Sequence, residues 1–499
     1  MSVDELFTSL TQELLEELTE DKRVERKPPG IHARALGDYF SMWANTPPDG
    51  GLVVVGIEDD GKCSGLSALG PNRLNELERC GHGFAPDARF ESKRMRVTNS
   101  EGSEDLLLVI RVFYRTDKVV RTVGGDAFTR VGDQKRRLRD EELRLLEIDK
   151  GQIDFELEPS QQKFPDDFDL ELIHEFAQSV RTKKGLDQSH SDLEILQQRR
   201  LGCDQRAFAP NVACELLFAK DPVSRFPGCK VRFFRFDGEE ERTGEKFNAV
   251  KDIVLEGPVP KPILQAEVVL DSQLRTFTRL GPDGKFYTGP EYPKPVWYEA
   301  IVNACVHRSY ALRNMVIFVK MFDDRLVIES PGGLPPLVTP ENIYDVHHPR
   351  NPRLMDAMYY LDFVKAANEG TRRMRDLMSQ ERLPRPEFNQ KELEHPVLRV
   401  ILRNNIKQRK VWIDSDAAPT VGAAMADTLT QNQRRAINFV AEHGEISVSQ
   451  LQRLINKSWP TAKRVLVELQ SRGVIVQKKR RTLDRDPQAR YVLAAKKQK

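Results

Sequence analysis

Residues 44–61 read ANTPPDGGLVVVGIEDDG, an apolar, β-branched run that ends in a cluster of acids. The apolar run predicts a buried strand of the parallel type over residues 52–57, followed by an acidic turn. Two further carboxylates, Glu20 and Glu25, lie upstream, at the expected end of a helix. A strand that delivers acids to a glycine turn commonly presents carboxylates at a sheet edge. The front of the chain is therefore predicted to be an α+β domain with an acidic site.

The composition describes a globular protein with several cores. Of the 499 residues, 39% are hydrophobic and 30% are charged, and this length predicts three or four domains. No run approaches the roughly 18 apolar residues that a membrane span needs. The acidic N-terminus lacks the features of a secretory signal, so we expect a cytoplasmic protein with no membrane partner. The six cysteines are scattered without zinc-ligand spacing, which favours reduced and mostly buried thiols.

Charge is distributed unevenly along the chain. Residues 427–499 carry 16 lysines and arginines against 6 acids, whereas the rest of the chain carries 61 against 69. A basic end on an acidic body predicts one module that binds a polyanion.

The pattern of helices, strands and breaks predicts five segments. They are a domain over 1–150, a middle α/β domain over 165–290, a third unit over 291–412, a linker over 413–429 and a basic module over 430–499. Residues 151–165 are polar and predict a connection between the first two domains. Residues 3–19 predict one amphipathic helix.

The first domain contains motifs of a known family. Residues 20–27 (EDKRVERK) carry two glutamates five apart before a basic residue, and residues 44–59 supply the strand and turn. This order of motifs resembles the AlbA-like domain of the Schlafen family, which handles nucleic acid. In nuclease members, two glutamates and a later aspartate bind a divalent metal. Such carboxylate ligands suit Mg²⁺ or Mn²⁺. Matched residue by residue, the implied metal ligands and catalytic residues are Glu20, Glu25 and Asp59.

Two other interpretations of this region stay open. In one, Glu20 lies on an acidic helix face and Asp59 belongs to an ordinary solvated turn. In the other, the domain binds nucleic acid without cleaving it, and Lys27 and Arg34 contact phosphates.

A second motif lies in the third unit. Residues 297–310 read WYEAIVNACVHRSY, in which Glu299 and Asn303 are four residues apart and therefore share one helix face. The segment resembles the divergent GHKL-like ATPase domain found behind Schlafen AlbA domains in bacterial RecG-like proteins and transcriptional regulators. The resemblance continues through residues 324–335, 350–352 and 369–374.

The resemblance implies an ATP site. Glu299 would activate water and Asn303 would bind Mg²⁺, while Ser330, Gly332 and Gly370 would contact the nucleotide. Ser330 replaces the usual aspartate and Gly370 lacks a paired glycine, which predicts weaker binding than in active ATPases. The alternative is a scaffold domain in which Glu299 and Asn303 stabilise local structure.

Residues 430–476 predict three helices separated by turns, and two short strands then bracket a basic loop. This pattern is similar to winged helix-turn-helix domains, in which the third helix enters the major groove. Protein–protein contact is the alternative role of such a domain. The implied nucleic-acid contacts are Lys463 and Arg464 on the third helix and Lys478, Lys479, Arg480 and Arg481 in the wing.

The sequence thus predicts a multidomain protein of α/β and α+β class: an AlbA-like domain, a small middle domain, a GHKL-like α/β sandwich and a winged helix. The favoured function is a DNA-binding transcriptional regulator, possessing a degenerate nucleotide-binding sensor domain. The alternative is a metal-dependent endoribonuclease of defence or stress response, so whether the protein is an enzyme stays open. ATP and Mg²⁺ or Mn²⁺ are the implied cofactors, DNA is the favoured partner over RNA, and a dimer would suit paired half-sites.

Overall fold

The computed structural model describes residues 2–17, 23–58, 60–204, 207–280, 286–346, 348–365, 369–381, 383–391, 395–404, 421, 425, 428–478 and 489–494. The described chain is a mixture of α-helices and strands arranged in several sheets, as the predicted fold class requires. Every helix within these ranges is too short or too polar to span a lipid bilayer.

The first body is built on a four-stranded mixed sheet. Its strands are β1 (Val24–Lys27), β2 (Gly50–Val55), β3 (Arg89–Thr98) and β4 (Glu104–Phe113), in the order β1-β2-β4-β3. Its helices are α1 (Val3–Ser9), α2 (Gln12–Glu17), α3 (Ala33–Ala44), α4 (Pro71–Phe84) and α5 (Asp140–Asp149), and a hairpin of β5 (Phe128–Val131) and β6 (Gln134–Arg137) precedes α5. The predicted strand is confirmed as β2, which is buried throughout and pairs in parallel with β1 and antiparallel with β4.

Both faces of this sheet are covered. Because side chains alternate along a strand, Val53 and Val55 pack with α3 and α4, whereas Leu52 and Val54 pack with α1. The predicted single helix over residues 3–19 is wrong, since Leu10 adopts an extended conformation (ψ 122°) that ends α1.

Two other expectations for this part of the chain also need correction. Glu25 lies within β1 and not at the end of a helix. The polar stretch 151–165 is not a free connection, because it contains a short 3-10 helix, Phe155–Leu157, in which Phe155 and Glu156 are buried. Phe155 belongs to the core of the following body.

The second body is centred on a six-stranded sheet. Its strands are β9 (Lys230–Phe236), β10 (Ala249–Glu256), β13 (Ile317–Met321), β14 (Arg325–Pro331), β15 (Glu387–Lys391) and β16 (Val397–Arg403), in the order β10-β9-β13-β14-β16-β15. β9 and β13 run parallel, and the other neighbours run antiparallel. Two hairpins stand outside this sheet: β7 (Gly202–Asp204) with β8 (Phe208–Pro210), and β11 (Thr276–Leu280) with β12 (Phe286–Pro290).

The helices of this body are α6 (Leu170–Lys184), α7 (Asp192–Gln198), α8 (Val212–Phe218), α9 (Pro260–Asp271), α10 (Lys294–Val306), α11 (Pro352–Tyr360) and α12 (Gly370–Gln380). One apolar core extends from Phe155 to Leu402. The division predicted at residue 290 therefore separates no structural units, because β9 and β13 are hydrogen-bonded neighbours across it.

The third body contains α13 (Gln431–His443), α14 (Val448–Ile455) and α15 (Trp459–Ser471), with a small sheet of β17 (Ile446–Ser447), β18 (Ile475–Lys478) and β19 (Arg490–Leu493). Ser447 caps α14: its side chain accepts from the backbone N–H of Gln450, and the Gln450 side chain accepts from the backbone N–H of Ser447. The three predicted helices and the two strands around the basic loop are confirmed.

Candidate functional site

A cavity of about 1000 Å³ lies in the second body, between α10, α11, α12 and the end of β14. Its volume is at the upper end of the range for small-molecule sites, about 300–1000 Å³. The structure brings together all of the residues predicted for the ATP site, because Glu299, Asn303, Ser330, Gly332 and Gly370 line this one cavity.

Helix α10 presents Glu299 and Asn303 to the cavity. Its opposite side is anchored by Trp297 and Ile301, which are fully buried in the core. Asn303 Nδ2 donates to Glu299 Oε1 at 3.2 Å, and Arg373 Nη2 donates to Glu299 Oε2 at 2.5 Å. Both carboxylate oxygens of Glu299 are therefore engaged by side chains of α10 and α12.

The end of β14 forms another wall. Ser330 is buried, and its hydroxyl donates to the Ala304 carbonyl at 2.8 Å, so that its lone pairs remain as acceptors. Gly332 has φ +98°, and a Cβ at this position would lie 2.4 Å from Arg350 Nη1. Glycine is thus required at 332 by backbone conformation and by the close approach of Arg350.

Helix α12 begins at the cavity. A Cβ on Gly370 would lie 2.0 Å from Glu299 Oε1, so this glycine allows the helix start to approach the carboxylate. Thr371 Oγ1 donates to the Ile343 carbonyl at 3.0 Å, and Arg372 Nε donates to the Tyr344 carbonyl at 2.6 Å. The first turn of α12 therefore holds the loop that lines the cavity from the other side.

Sequence reasoning did not single out several residues of this site. Arg373 was visible only as one of two successive arginines, and its pairing with Glu299 connects positions 74 residues apart. Nothing in the local pattern distinguished the other aromatic and basic side chains of the cavity, which include Lys184, Tyr344, His348, Tyr359 and Lys365.

In the first body, Glu25 is a buried ion-pair residue. Its Oε2 accepts from Arg130 Nη1, and its Oε1 lies 2.8 Å from Lys27 Nζ. The Arg130 guanidinium stacks on Trp43 at 4.9 Å. Burial lowers the pKa of Lys27, but the hydrogen bond and charge of Glu25 outweigh burial and leave that pKa raised.

The other predicted metal ligands, Glu20 and Asp59, lie outside the described residues. Within the described part of the chain, no group of three histidine, cysteine or acidic side chains is arranged to hold a metal ion. The structure therefore leaves the proposed triad untested, and the one described member is engaged by two cations.

The basic residues of the first body are placed differently from one another. Arg34 is exposed on α3, whereas Lys27 is partly buried beside Tyr39. The basic run at 135–137 is neutralised, since its three members pair with Asp38, Glu142 and Asp126.

The third body carries exposed cations on α15. Lys463 and Arg464 are exposed and form no ion pair with another described residue, and Lys463 Nζ lies 5.2 Å from the Trp459 ring centroid. Lys478 ends β18 at 3.7 Å from Glu445. The remaining predicted contacts, Lys479, Arg480 and Arg481, lie outside the described residues.

Two family models match the chain. Residues 17–139 match "Schlafen, AlbA_2", and residues 314–402 match "Putative ATP-dependent DNA helicase recG C-terminal". Both resemblances deduced from the sequence are confirmed. The second match includes Ser330, Gly332 and Gly370 but begins after α10. Glu299 and Asn303 therefore lie outside the matched range in sequence and come next to it in the folded structure.

No curated protein matches the chain. Among solved structures, the DIP2311 protein from Corynebacterium diphtheriae is 18% identical and aligns over 98% of this chain and 97% of its own, with a TM-score of 0.40.

Proposed function

We propose that the protein is a nucleic-acid-binding regulator whose central cavity senses a nucleotide. The observation that carries this proposal is the pair of exposed cations on α15, Lys463 and Arg464, which form no ion pair with another described residue and lie within the most basic segment of the chain. The two family matches support a nucleic-acid-related function.

The third body is proposed to be a winged helix that binds duplex DNA. Three helices precede a two-stranded antiparallel pair, β18 and β19, and a basic stretch of sequence joins these strands. In such domains the third helix enters the major groove and the wing contacts the phosphate backbone. Helix α15 presents Lys463 and Arg464 on its exposed side, which suits this role.

The cavity of the second body is proposed to bind ATP. Its volume accommodates a nucleotide, and Asn303 and Ser330 offer polar atoms in a mostly buried setting. The RecG-type match is consistent with ATP binding. If a divalent cation accompanies the nucleotide, Asn303 is the residue of this cavity that would hold it, and the cation would neutralise phosphate charge.

The test is salt-dependent binding of fluorescent duplex DNA and of tRNA by the full chain. Each lost phosphate contact lowers the slope of log K against log salt by about 0.9. The double substitution Lys463→Ala with Arg464→Ala is therefore expected to weaken duplex binding and to reduce that slope by about 1 to 2.

The matched control is Lys251→Ala with Lys261→Ala, two exposed lysines of the second body. This pair should leave both affinity and slope unchanged. Equal effects of the two double substitutions, or an unchanged slope for the first, would overturn the assignment of α15. Stronger binding to tRNA than to duplex DNA would redirect the proposal to RNA.

A further inference from the structure

The Glu299 carboxylate is held from two sides. Arg373 Nη2 approaches Oε2 at 2.5 Å, Asn303 Nδ2 approaches Oε1 at 3.2 Å, and only 15% of the Glu299 side chain is exposed. A Cβ on Gly370 would lie 2.0 Å from Oε1, so the backbone of this glycine approaches the carboxylate closely. The first turn of α12 therefore closes over the carboxylate.

This arrangement opposes general-base chemistry. Hydrolysis of ATP would join a water oxygen to the terminal phosphorus and pass one water proton to Glu299. The bond to the bridging oxygen would then break, leaving ADP and inorganic phosphate. A general base must turn toward the water whose proton it abstracts, but here Arg373 holds one oxygen of Glu299 in a charge-assisted hydrogen bond and Asn303 holds the other, so that the orientation of the carboxylate is fixed by these two side chains.

The element that carries Arg373 also shapes the cavity. Thr371 and Arg372 of the same helical turn hold the backbone of residues 343 and 344, and Arg372 pairs with Asp345 at 2.7 Å. Release of Arg373 from Glu299 would thus leave these contacts to hold α12 in place.

We propose that Arg373 is a positioning residue that keeps Glu299 from activating water, so that the cavity binds a nucleoside triphosphate and keeps it intact. This inference rests on the proposed function of the cavity as a nucleotide sensor. In this inference, the contact of Arg373 with Glu299 makes the cavity a nucleotide sensor and not an ATPase.

The experiment measures two quantities on the full chain with Mg²⁺: binding of a fluorescent ATP analogue and release of phosphate from ATP. Arg373→Gln should bind the analogue and release phosphate about 10²-fold faster than the wild type, the lower end of the usual contribution of general-base catalysis. Arg373→Lys, which retains a cation for Glu299, should stay at the wild-type rate. Combining Arg373→Gln with Glu299→Gln should abolish the gain.

The matched control is Arg385→Gln, a substitution of an exposed arginine that follows the same helix. It should change neither quantity, and circular dichroism checks that each variant is folded. Nucleotide binding by Arg373→Gln without a gain in phosphate release would overturn this inference alone. Failure of the wild type to bind the analogue would overturn the nucleotide pocket and, with it, the role of Arg373.

Discussion

Glu25 and Arg130 form an ion pair in the interior of the first body, and Arg130 has 1% of its side chain exposed. Removing one partner of a buried ion pair typically costs about 3–5 kcal/mol, and the lower end of this range, about 3 kcal/mol, applies here because Lys27 remains 2.8 Å from Glu25. We therefore expect Arg130→Met to lower the free energy of unfolding by this amount in chemical denaturation. Arg136→Met, which removes a half-exposed partner of Glu142, should cost less than about 1 kcal/mol. Equal costs would show that the buried pair has no special role.

The same residues show which contacts the local sequence pattern can predict and which it cannot. The motif identified Glu25 as a candidate metal ligand, but its partner Arg130 lies 105 residues away, on the hairpin of β5 and β6. Position along the chain gives no sign of such a pairing. The shared cavity of the five other residues was easier to predict, because Glu299 and Asn303 are one helical turn apart and the resemblance supplied Ser330, Gly332 and Gly370.

Helix α11 is capped by a residue from far upstream. Its own N-cap, Asn351, makes no side-chain cap hydrogen bond, whereas Glu156 accepts from the backbone N–H groups of Arg353 at 2.8 Å and Leu354 at 2.7 Å. Burial raises the pKa of Glu156 to about 7, although the two N–H groups oppose this shift.

A titration prediction follows from this cap. Because the folded pKa lies above the ordinary value of 4.5, Glu156 contributes most to stability below pH 4.5, and this contribution is lost as the pH rises to about 7. The substitution Glu156→Gln removes this titration. Between pH 4.5 and 7, the free energy of unfolding of the wild type should therefore fall by roughly 3 kcal/mol relative to that of Glu156→Gln. Denaturant unfolding at several pH values measures the difference. Glu158→Gln, two residues along, should follow the wild-type profile, and identical profiles for all three proteins would contradict the prediction.

Periodicity predicted strand β2, helix α10 and the three helices of the third body, and the failures have physical causes. Strand β1 was missed because its four residues, Val24–Lys27, include two charged side chains that are buried, which hydrophobic patterning cannot detect. Helices α1 and α2 were merged because apolar spacing continues across Leu10, where the backbone turns extended.

At the scale of the whole molecule, the order of the two matched families was predictable, but the division at residue 290 was wrong. Sheet pairing joins β9 to β13 across about eighty intervening residues of sequence, and short-range pattern holds no information on such contacts. The motifs were sufficient to predict the two matched families. The contacts between the first and second bodies are visible only in the folded structure.

That connection includes Arg350. Its Nε lies 3.0 Å from Asp149 Oδ1 at the end of α5, and its Nη1 donates at 3.2 Å to the carbonyl of His307, which lines the cavity. Arg350 also packs against Gly332 in the cavity wall. The AlbA-type body is therefore tied to the proposed nucleotide pocket by one buried guanidinium.

If the cavity is a nucleotide sensor, nucleotide binding should change the affinity of the protein for nucleic acid. We expect the contacts of Arg350 with Asp149 and His307 to transmit this effect. We expect a non-hydrolysable ATP analogue to shift duplex affinity at least about fivefold in the wild type, and the duplex must shift analogue affinity by the same factor. Asp149→Asn, which keeps the side-chain shape but removes the charge, should reduce this coupling by about 0.5–2 kcal/mol without altering the affinity for either ligand alone. Asp154→Asn is the control, since Asp154 lies 3.8 Å from Arg353 and is more exposed than Asp149. Unchanged coupling in Asp149→Asn, measured by fluorescence anisotropy in both directions, would mean that the signal does not pass through Arg350.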